Sequence, residues 1–335
     1  MELQFSIIIS VYNGEKIITN CLNSLIGQDY PCHKYEIIVV DDCSTDNTPN
    51  IIKDYINDKK TTPNPPVIKL LLHNVNKKQG GGRNTGLKNA KGNWIFFLDA
   101  DDFWLYDNVL SIFDEFIKNN SNIDLIRSIS AKVNTTNYIP LKNYNNDIAF
   151  QTVDSRQYFM SEKFTYEVWS ICYKKEFLDK INIHFVENMF YEDTKWTTEI
   201  MYKGERILLI DFPFYGYYNN PNSTTRSKSI QPFLDNAKST IEVQNIIENI
   251  NDEEYKKTGY NRIRNTILSL VKQSKNLPTQ KLLPVFYKLK ERGLLKRNLY
   301  SLNLIQNILF ILMKTTPGVL LYQVKLLTII KRIFK

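Results

Sequence analysis

The chain has 335 residues, 43% hydrophobic and 23% charged, the balance of an ordinary globular protein with room for one large α/β domain and an appended unit. Its formal charge of +8 would suit an acidic ligand, a nucleic acid or an anionic membrane surface, but the basic residues are scattered among 35 acidic ones and form no nucleic-acid-binding motif, which excludes nucleic acid as the expected partner. No apolar run reaches the roughly 18 residues that a spanning helix requires. Cys21, Cys32, Cys43 and Cys172 form no C-x-x-C pair, and residues 1–4 lead straight into an apolar run without a secretory leader. Reduced thiols in a cytoplasmic protein are therefore expected.

Residues 5–11 are a short, β-branched apolar run that reads as a strand, and residues 15–28 place Ile18, Cys21, Leu22, Leu25 and Ile26 on one helical face. A second strand at 35–40 ends in Asp41-Asp42, a helix follows at about 46–57, and residues 61–66 read as a turn. The third strand is expected at 67–72, a loop containing Gly80-Gly81-Gly82 next, then a short helix at 83–90 and a fourth strand at 94–98. A helix at 107–118 and strands at 125–130, 168–173, 207–210 and 214–218 follow, and beyond Pro221 the pattern is helical. Alternation of strand and helix predicts a mostly parallel, doubly wound α/β sheet whose ligands bind beyond the carboxyl ends of the strands. Tyr12-Asn13, Asp41-Asp42, residues 80–84 and residues 99–102 are thus expected on one rim.

The fourth strand stops on Asp99-Ala100-Asp101-Asp102, and no packing requirement explains three acidic residues there. Two carboxylates one residue apart can hold a hard divalent cation against a phosphorylated ligand, or they can cap the helix at 107–118. Gly80-Gly81-Gly82-Arg83 can approach a phosphate closely, although it lacks the ending of a P-loop. The alternative for Arg83 is a solvated loop arginine. Glu192-Asp193 precedes a helical pattern in which Trp196 and Ile200 share a face, so Asp193 reads either as a functional carboxylate or as a helix N-cap. Trp169 reads as a core residue or as a platform for a sugar ring.

Taken together, four ordered segments resemble family 2 inverting glycosyltransferases: Ile7-Ile8-Ile9-Ser10-Val11-Tyr12-Asn13-Gly14-Glu15 with Cys21 to Leu25 and Gln28; Val39-Val40-Asp41-Asp42-Cys43-Ser44-Thr45-Asp46; Gly82-Arg83-Asn84-Thr85-Gly86-Leu87; and Phe97-Leu98-Asp99-Ala100-Asp101-Asp102. Ser10 departs from the proline usual in that family. The resemblance implies a GT-A fold, a Rossmann-like, mostly parallel doubly wound sheet, over residues 1–228, with a C-terminal helical unit at 229–335. It implies an inverting transfer of a hexosyl or N-acetylhexosaminyl group from a UDP-sugar to a hydroxyl of a glycan or lipid-linked glycan, in the manner of bacterial capsule or lipopolysaccharide synthesis. Val11, Tyr12, Glu15, Asp42, Arg83, Asp99, Ala100 and Asp101 would bind the donor, with Asp42 accepting a uracil N–H. Asp101 would ligate Mn²⁺ or Mg²⁺ and Asp99 would face the ribose or a metal-bound water. Ser223 and Arg226 would meet the diphosphate from a closing loop. Asp193 would act as the base, supported by Glu192. The competing functions are a non-catalytic sugar-nucleotide or glycan-binding protein on the same fold and a nucleotidyltransferase. The helical patterns at 302–313 and 319–334, the second carrying Lys325, Lys331, Arg332 and Lys335, would suit either peripheral contact with the inner face of the membrane or packing within the protein or against another copy.

Overall fold

The structure, a computed structural model, describes residues 2–59, 65–134, 141–219, 229–274, 277–294 and 317–318. Ser223, Arg226 and the helical patterns at 302–313 and 319–334 lie outside the described residues. The chain divides into two compact units, residues 1–221 and 222–335.

The first unit is a mixed α/β body. Strands β1 (Phe5–Val11), β2 (Tyr35–Asp41), β3 (Val67–Leu72) and β4 (Trp94–Asp99) form a parallel run in the order β3-β2-β1-β4. Helices α1 (Ile18–Ile26), α2 (Thr48–Lys59) and α3 (Lys78–Asn89) make the crossovers that parallel pairing requires. The sheet continues as β4-β8-β6-β9-β5, where β5 is Phe103–Trp104, β6 Leu125–Val133, β8 Ile171–Lys174 and β9 Arg206–Tyr218. β7 (Phe150–Asp154) pairs with the first residues of β9. In this half β8 runs antiparallel to both β4 and β6, so the parallel run ends at β4. The remaining helices of this unit are α4 (Val109–Asn119), α5 (Ser155–Met160), α6 (Lys175–Ile181) and α7 (Glu192–Lys203).

Two strand expectations are corrected here. Residues 207–210 and 214–218 belong to one 13-residue strand, because Pro213 faces a register irregularity in β6 and the pairing resumes beyond it. Residues 168–170 form a 3₁₀ turn, and the strand begins at Ile171.

β4 is apolar from Trp94 to Leu98 because both of its sides are covered, as parallel sheets require. Phe96 packs edge-on against Trp104, Phe113 of α4 and Phe214, with ring centroids 5.1, 4.9 and 6.0 Å away. Its neighbour Phe97 points the other way, onto Phe185 and Trp196 of α7 at 5.3 and 5.9 Å. Phe185 and Trp196 stack on each other at 3.8 Å. Burying aromatic side chains of this size contributes roughly 1.5–3 kcal/mol each, and here it also fixes α7 beside the acidic end of β4.

The glycines expected in a loop lie inside α3, which starts five residues earlier than its sequence pattern suggests. A Cβ at Gly82 would overlap Ser10 Oγ, and one at Gly86 would overlap the Ile8 Cγ2 methyl. Close packing of α3 on β1 therefore outweighs the poor helix propensity of glycine.

The second unit consists, in its described part, of α8 (Gln231–Glu248), α9 (Glu253–Gln273) and α10 (Thr279–Glu291). Asp252 caps α9 by accepting from Tyr255 N at 2.9 Å. Gly259 lets α9 approach Ile247 of α8, and Phe233 of α8 meets Phe286 of α10 at 6.2 Å. No helix among the described residues is long and apolar enough to cross a membrane.

Replacing Gly86 by Ala should force α3 away from the β-branched Ile8 and cost about 1–3 kcal/mol. Urea denaturation followed by circular dichroism will show a lower midpoint; an unchanged midpoint would mean that α3 does not need this close approach.

Candidate active site

Parallel register places the ends of β1, β2, β3 and β4 side by side: Val11 opposite Asp41, Asp41 opposite Leu72, and Ser10 opposite Asp99. The first two loops of this rim are stitched together. Asn13 N donates to Ser44 Oγ at 2.9 Å, Thr45 N to Asn13 Oδ1 at 2.8 Å, and Gly14 N to Thr48 Oγ1 at 2.8 Å. Glu15 accepts from Asn47 N at 3.2 Å while its own N–H donates to Asp46. Asn13 and Cys43 hold left-handed backbone, φ 52° and 66°, where the two loops turn. Val11 is buried, and Tyr12 is half exposed beside it.

Asp42 is not a cap of α2, whose first turn is served by Asp46 accepting from Thr48 N at 3.0 Å. Asp42 is buried, its N–H donates to Val11 O at 2.8 Å, and its Oδ1 meets both His73 Nδ1 and Lys77 N at 2.8 Å. His73 Nε2 in turn meets Thr85 Oγ1 of α3 at 2.8 Å.

Asp99 to Asp102 do not cap α4 either: the residue ahead of that helix is Asn108, and it makes no side-chain cap. Asp99 Oδ1 accepts from Gln79 Nε2 at 2.5 Å and from Arg83 at 2.8 Å. Asp102 is buried, accepting from Tyr215 OH at 2.6 Å and Tyr218 N at 2.8 Å. Burial, and then the neighbouring Asp99 and Asp101, push the Asp102 carboxyl up to about 9. Burial and the same acidic run raise the thiol of Cys21, so it is a poor nucleophile. Asp99 and Asp101 remain partly accessible, with Ala100 buried between them.

Arg83 is not a solvated loop residue. It is 3% exposed, and its guanidinium reaches Asp99 with one nitrogen and Glu192 with the other, the latter at 2.5 Å. Burial opposes its charge, but Asp99, Glu192 and Asp193 more than compensate and hold it protonated. Burial also pushes the Glu192 carboxyl up while Arg83 pulls it down; a 2.5 Å contact with a permanently charged guanidinium makes it the ionised partner.

Asp193 lies in the first turn of α7 and is not its N-cap, a place taken by Tyr191 in left-handed backbone at φ 61°. Burial and adjacent Glu192 push its carboxyl up to about 7, against the opposing pull of Arg83 and Thr194. The helix N-terminus, expected to favour the ionised form, is outweighed by this desolvation and like charge. Residues preceding α7 are fastened to α3 by Asn84, which accepts from Phe185 N at 2.8 Å and donates to Phe185 O at 2.9 Å. Trp169 is nearly buried and stacks on Tyr215 and Tyr217, with centroids 4.2 and 5.7 Å away.

Sequence reasoning missed His73, Gln79 and Tyr215. His73 was within reach of the rim rule, since it follows the last residue of β3 and a polar residue there faces the same edge as Asp42. Gln79 was hidden by reading its surroundings as a loop. Tyr215 sits within a long strand, where nothing in the sequence singles it out.

Among the described residues no group of three or more His, Cys, Asp or Glu side chains could hold a metal ion by itself. Asp99 and Asp101 offer the smaller donor set, one or two carboxylates, with which Mg²⁺-type ions are held jointly by protein and ligand phosphates. The donor chemistry therefore fits a divalent cation that binds together with a diphosphate.

Comparison with known proteins identifies the family of the chain. The chain is 28% identical over 255 residues to the uncharacterized glycosyltransferase YibD of Escherichia coli, spanning 74% of this chain and 71% of that protein. It is 40% identical over 104 residues to the poly(ribitol-phosphate) beta-N-acetylglucosaminyltransferase TarS of Staphylococcus aureus, a match spanning 30% of this chain and 17% of TarS. The crystal structure of S. aureus TarS 1–349 with UDP-GlcNAc superimposes with a TM-score of 0.72 at 23% identity, covering 96% of this chain and 90% of that one. The mannosyltransferase PcManGT of Pyrobaculum calidifontis, solved with GDP-Man and Mn²⁺, gives 0.57 at 15% identity, covering 97% and 88%. Residues 6–185, more than half of the chain, match glycosyl transferase family 2, and the protein belongs to that family.

Proposed function

We propose that this protein is an inverting transferase that moves a hexosyl or N-acetylhexosaminyl group from a UDP-sugar to a hydroxyl of a glycan or lipid-linked glycan. The observation that carries this reading is the buried Arg83, which ties the acidic end of β4 to the carboxylate pair at the start of α7. One site thereby holds a surface for an anionic donor and a separate carboxylate for proton transfer. Likeness to TarS, solved with UDP-GlcNAc and with UDP, supports the choice of donor.

In this mechanism Asp193 takes the proton of the acceptor hydroxyl as its oxygen bonds to the anomeric carbon. The bond from that carbon to the donor phosphate oxygen breaks on the opposite side, UDP leaves, and the configuration inverts. A carboxyl near 7 suits the role, because about half of it is ionised at neutral pH and the ionised form is basic enough to accept a proton. Glu192 stays paired with Arg83 and so keeps a negative charge beside the base. Asp42 receives the N–H of the uracil ring, and Val11, Tyr12 and Glu15 border the nucleoside. Asp101, aided by Asp99, would hold Mn²⁺ or Mg²⁺, which would supply Lewis-acid stabilisation of charge on the departing diphosphate. Ser223 and Arg226 would meet that diphosphate from the segment after β9. Cytoplasmic work at the inner face of the membrane would suit a lipid-linked acceptor.

Assay of UDP release with a panel of UDP-sugars and acceptors tests the reaction class. UDP release should need the acceptor and be lost with EDTA, whereas release of pyrophosphate would identify a nucleotidyltransferase and binding without turnover a non-catalytic protein. Asp193→Asn should lower kcat by about 10²–10⁴-fold; equal transfer by variant and wild type would remove Asp193 as the base. Because the raised Asp193 pKa leaves the base form depleted in acid, kcat/KM should fall about tenfold per pH unit below about 7 and level off above it. A profile flat down to pH 5 would contradict that assignment.

A further inference from the structure

The geometry points to His73 as a specificity-determining residue: it orients Asp42 so that one carboxylate oxygen alone is left to read the nucleobase of the donor, which favours a base presenting a single ring N–H, as uracil does. The inference rests on the proposed reading of Asp42 as the base acceptor.

An ionised carboxylate only accepts hydrogen bonds, so the 2.8 Å contact assigns the hydrogen of His73 to Nδ1, and Nε2 then accepts from the Thr85 hydroxyl. Asp42 Oδ1 is occupied twice, by His73 Nδ1 and by Lys77 N. Both side-chain hydrogen bonds of the Asp42 carboxylate thus fall on Oδ1, which leaves Oδ2 as the oxygen available to a ligand, and Asp42 is 2% exposed. A carboxylate held in this way cannot present both oxygens at once. Guanine offers a ring N–H and an adjacent amino group that together match two oxygens, whereas uracil offers one N–H that matches one. A site whose buried acceptor goes unmatched rejects a ligand lacking the donor far more strongly than an apolar site rejects an extra group. His73 is itself held from the far side by Thr85 of α3, so the orientation of Asp42 is set by the same helix that carries Arg83.

Adjacent Asp41 offers a competing acceptor, because its Oδ2 is buried without a partner among the described residues. The two carboxylates can be told apart by coupling to His73.

Calorimetric titration of the full chain with UDP, with UDP methylated at N3 and with GDP, in constant Mg²⁺, tests the inference. For the wild type, N3-methylation should weaken binding about tenfold or more, as expected when a charged acceptor loses its donor. In His73→Leu that penalty should shrink to less than about threefold, and the preference for UDP over GDP should narrow with it, in the manner of a double-mutant cycle. His73→Asn, whose amide nitrogen can occupy the place of Nδ1, should restore most of both. Thr85→Val, which leaves the Asp42 contact intact, should reduce the penalty partially and serves if His73→Leu fails to fold, as judged by thermal melting. A full penalty in the wild type that persists unchanged in the folded His73 or Thr85 variant would overturn the role of His73 and point to Asp41. Absence of any N3-methyl penalty in the wild type would instead overturn the reading of Asp42 on which the inference stands.

Discussion

The site depends on one buried cation. Arg83 lies almost out of reach of water with Asp99 on one side and Glu192 on the other. An arginine so placed cannot be neutralised, and removing either partner leaves a charge uncompensated in a medium of low effective dielectric. The two partners come from elements more than ninety residues apart in sequence, the end of β4 and the first turn of α7. Holding them on one guanidinium fixes the distance between the acidic end of β4 and the carboxylate pair at the start of α7. A fork with five fixed N–H directions does this more sharply than an ammonium could.

α3 makes that placement possible. Its three consecutive glycines look like a flexible loop, but Gly82, with Gly86 one turn on, leaves no side chain between the helix and β1, so the helix axis can approach the sheet closely. From that position α3 sends Gln79 and Arg83 to Asp99, Asn84 to the backbone ahead of α7, and Thr85 to His73. One helix thus orients the acidic run, the segment leading into α7 and the carboxylate at the end of β2. Ser10, where relatives in the family usually carry proline, lies directly under Gly82, and its small side chain is compatible with the same contact.

Charge is distributed unevenly across the site. Burial, with repulsion from Asp99 and Asp101 added to it, keeps Asp102 near 9, and Asp102 is accommodated by Tyr215 and the backbone of Tyr218. A cation with a diphosphate would relieve this repulsion on the accessible side, where Asp99 and Asp101 lie, leaving Asp102 to brace the end of β9. On the other side burial and Glu192 push the Asp193 carboxyl up to about 7, so the two acidic groups lie in electrostatically different surroundings.

Much of this was legible in the sequence. The apolar runs at Phe5–Val11 and Val67–Leu72 and the acidic stop after Leu98 mark strands and their rim, because period and turn chemistry are local properties. Those features, in order, were enough to indicate the family and the carboxylates at Asp42, Asp99 and Asp101. What the sequence could not carry was partnership. Glycines that lower local helix propensity became helical once packing against β1 was available, and residues 207–218 became one strand once β6 supplied a partner along their length. Spacing left Asp193 open between a functional carboxylate and a cap; the fold takes it out of the cap position and pushes its carboxyl up to about 7, since desolvation and the proximity of Glu192 depend on the folded surroundings. Residue types and spacing determined which groups this protein could use; only the tertiary structure decided which of them meet, because burial and Coulomb energy depend on distances in space that the order of the chain does not specify.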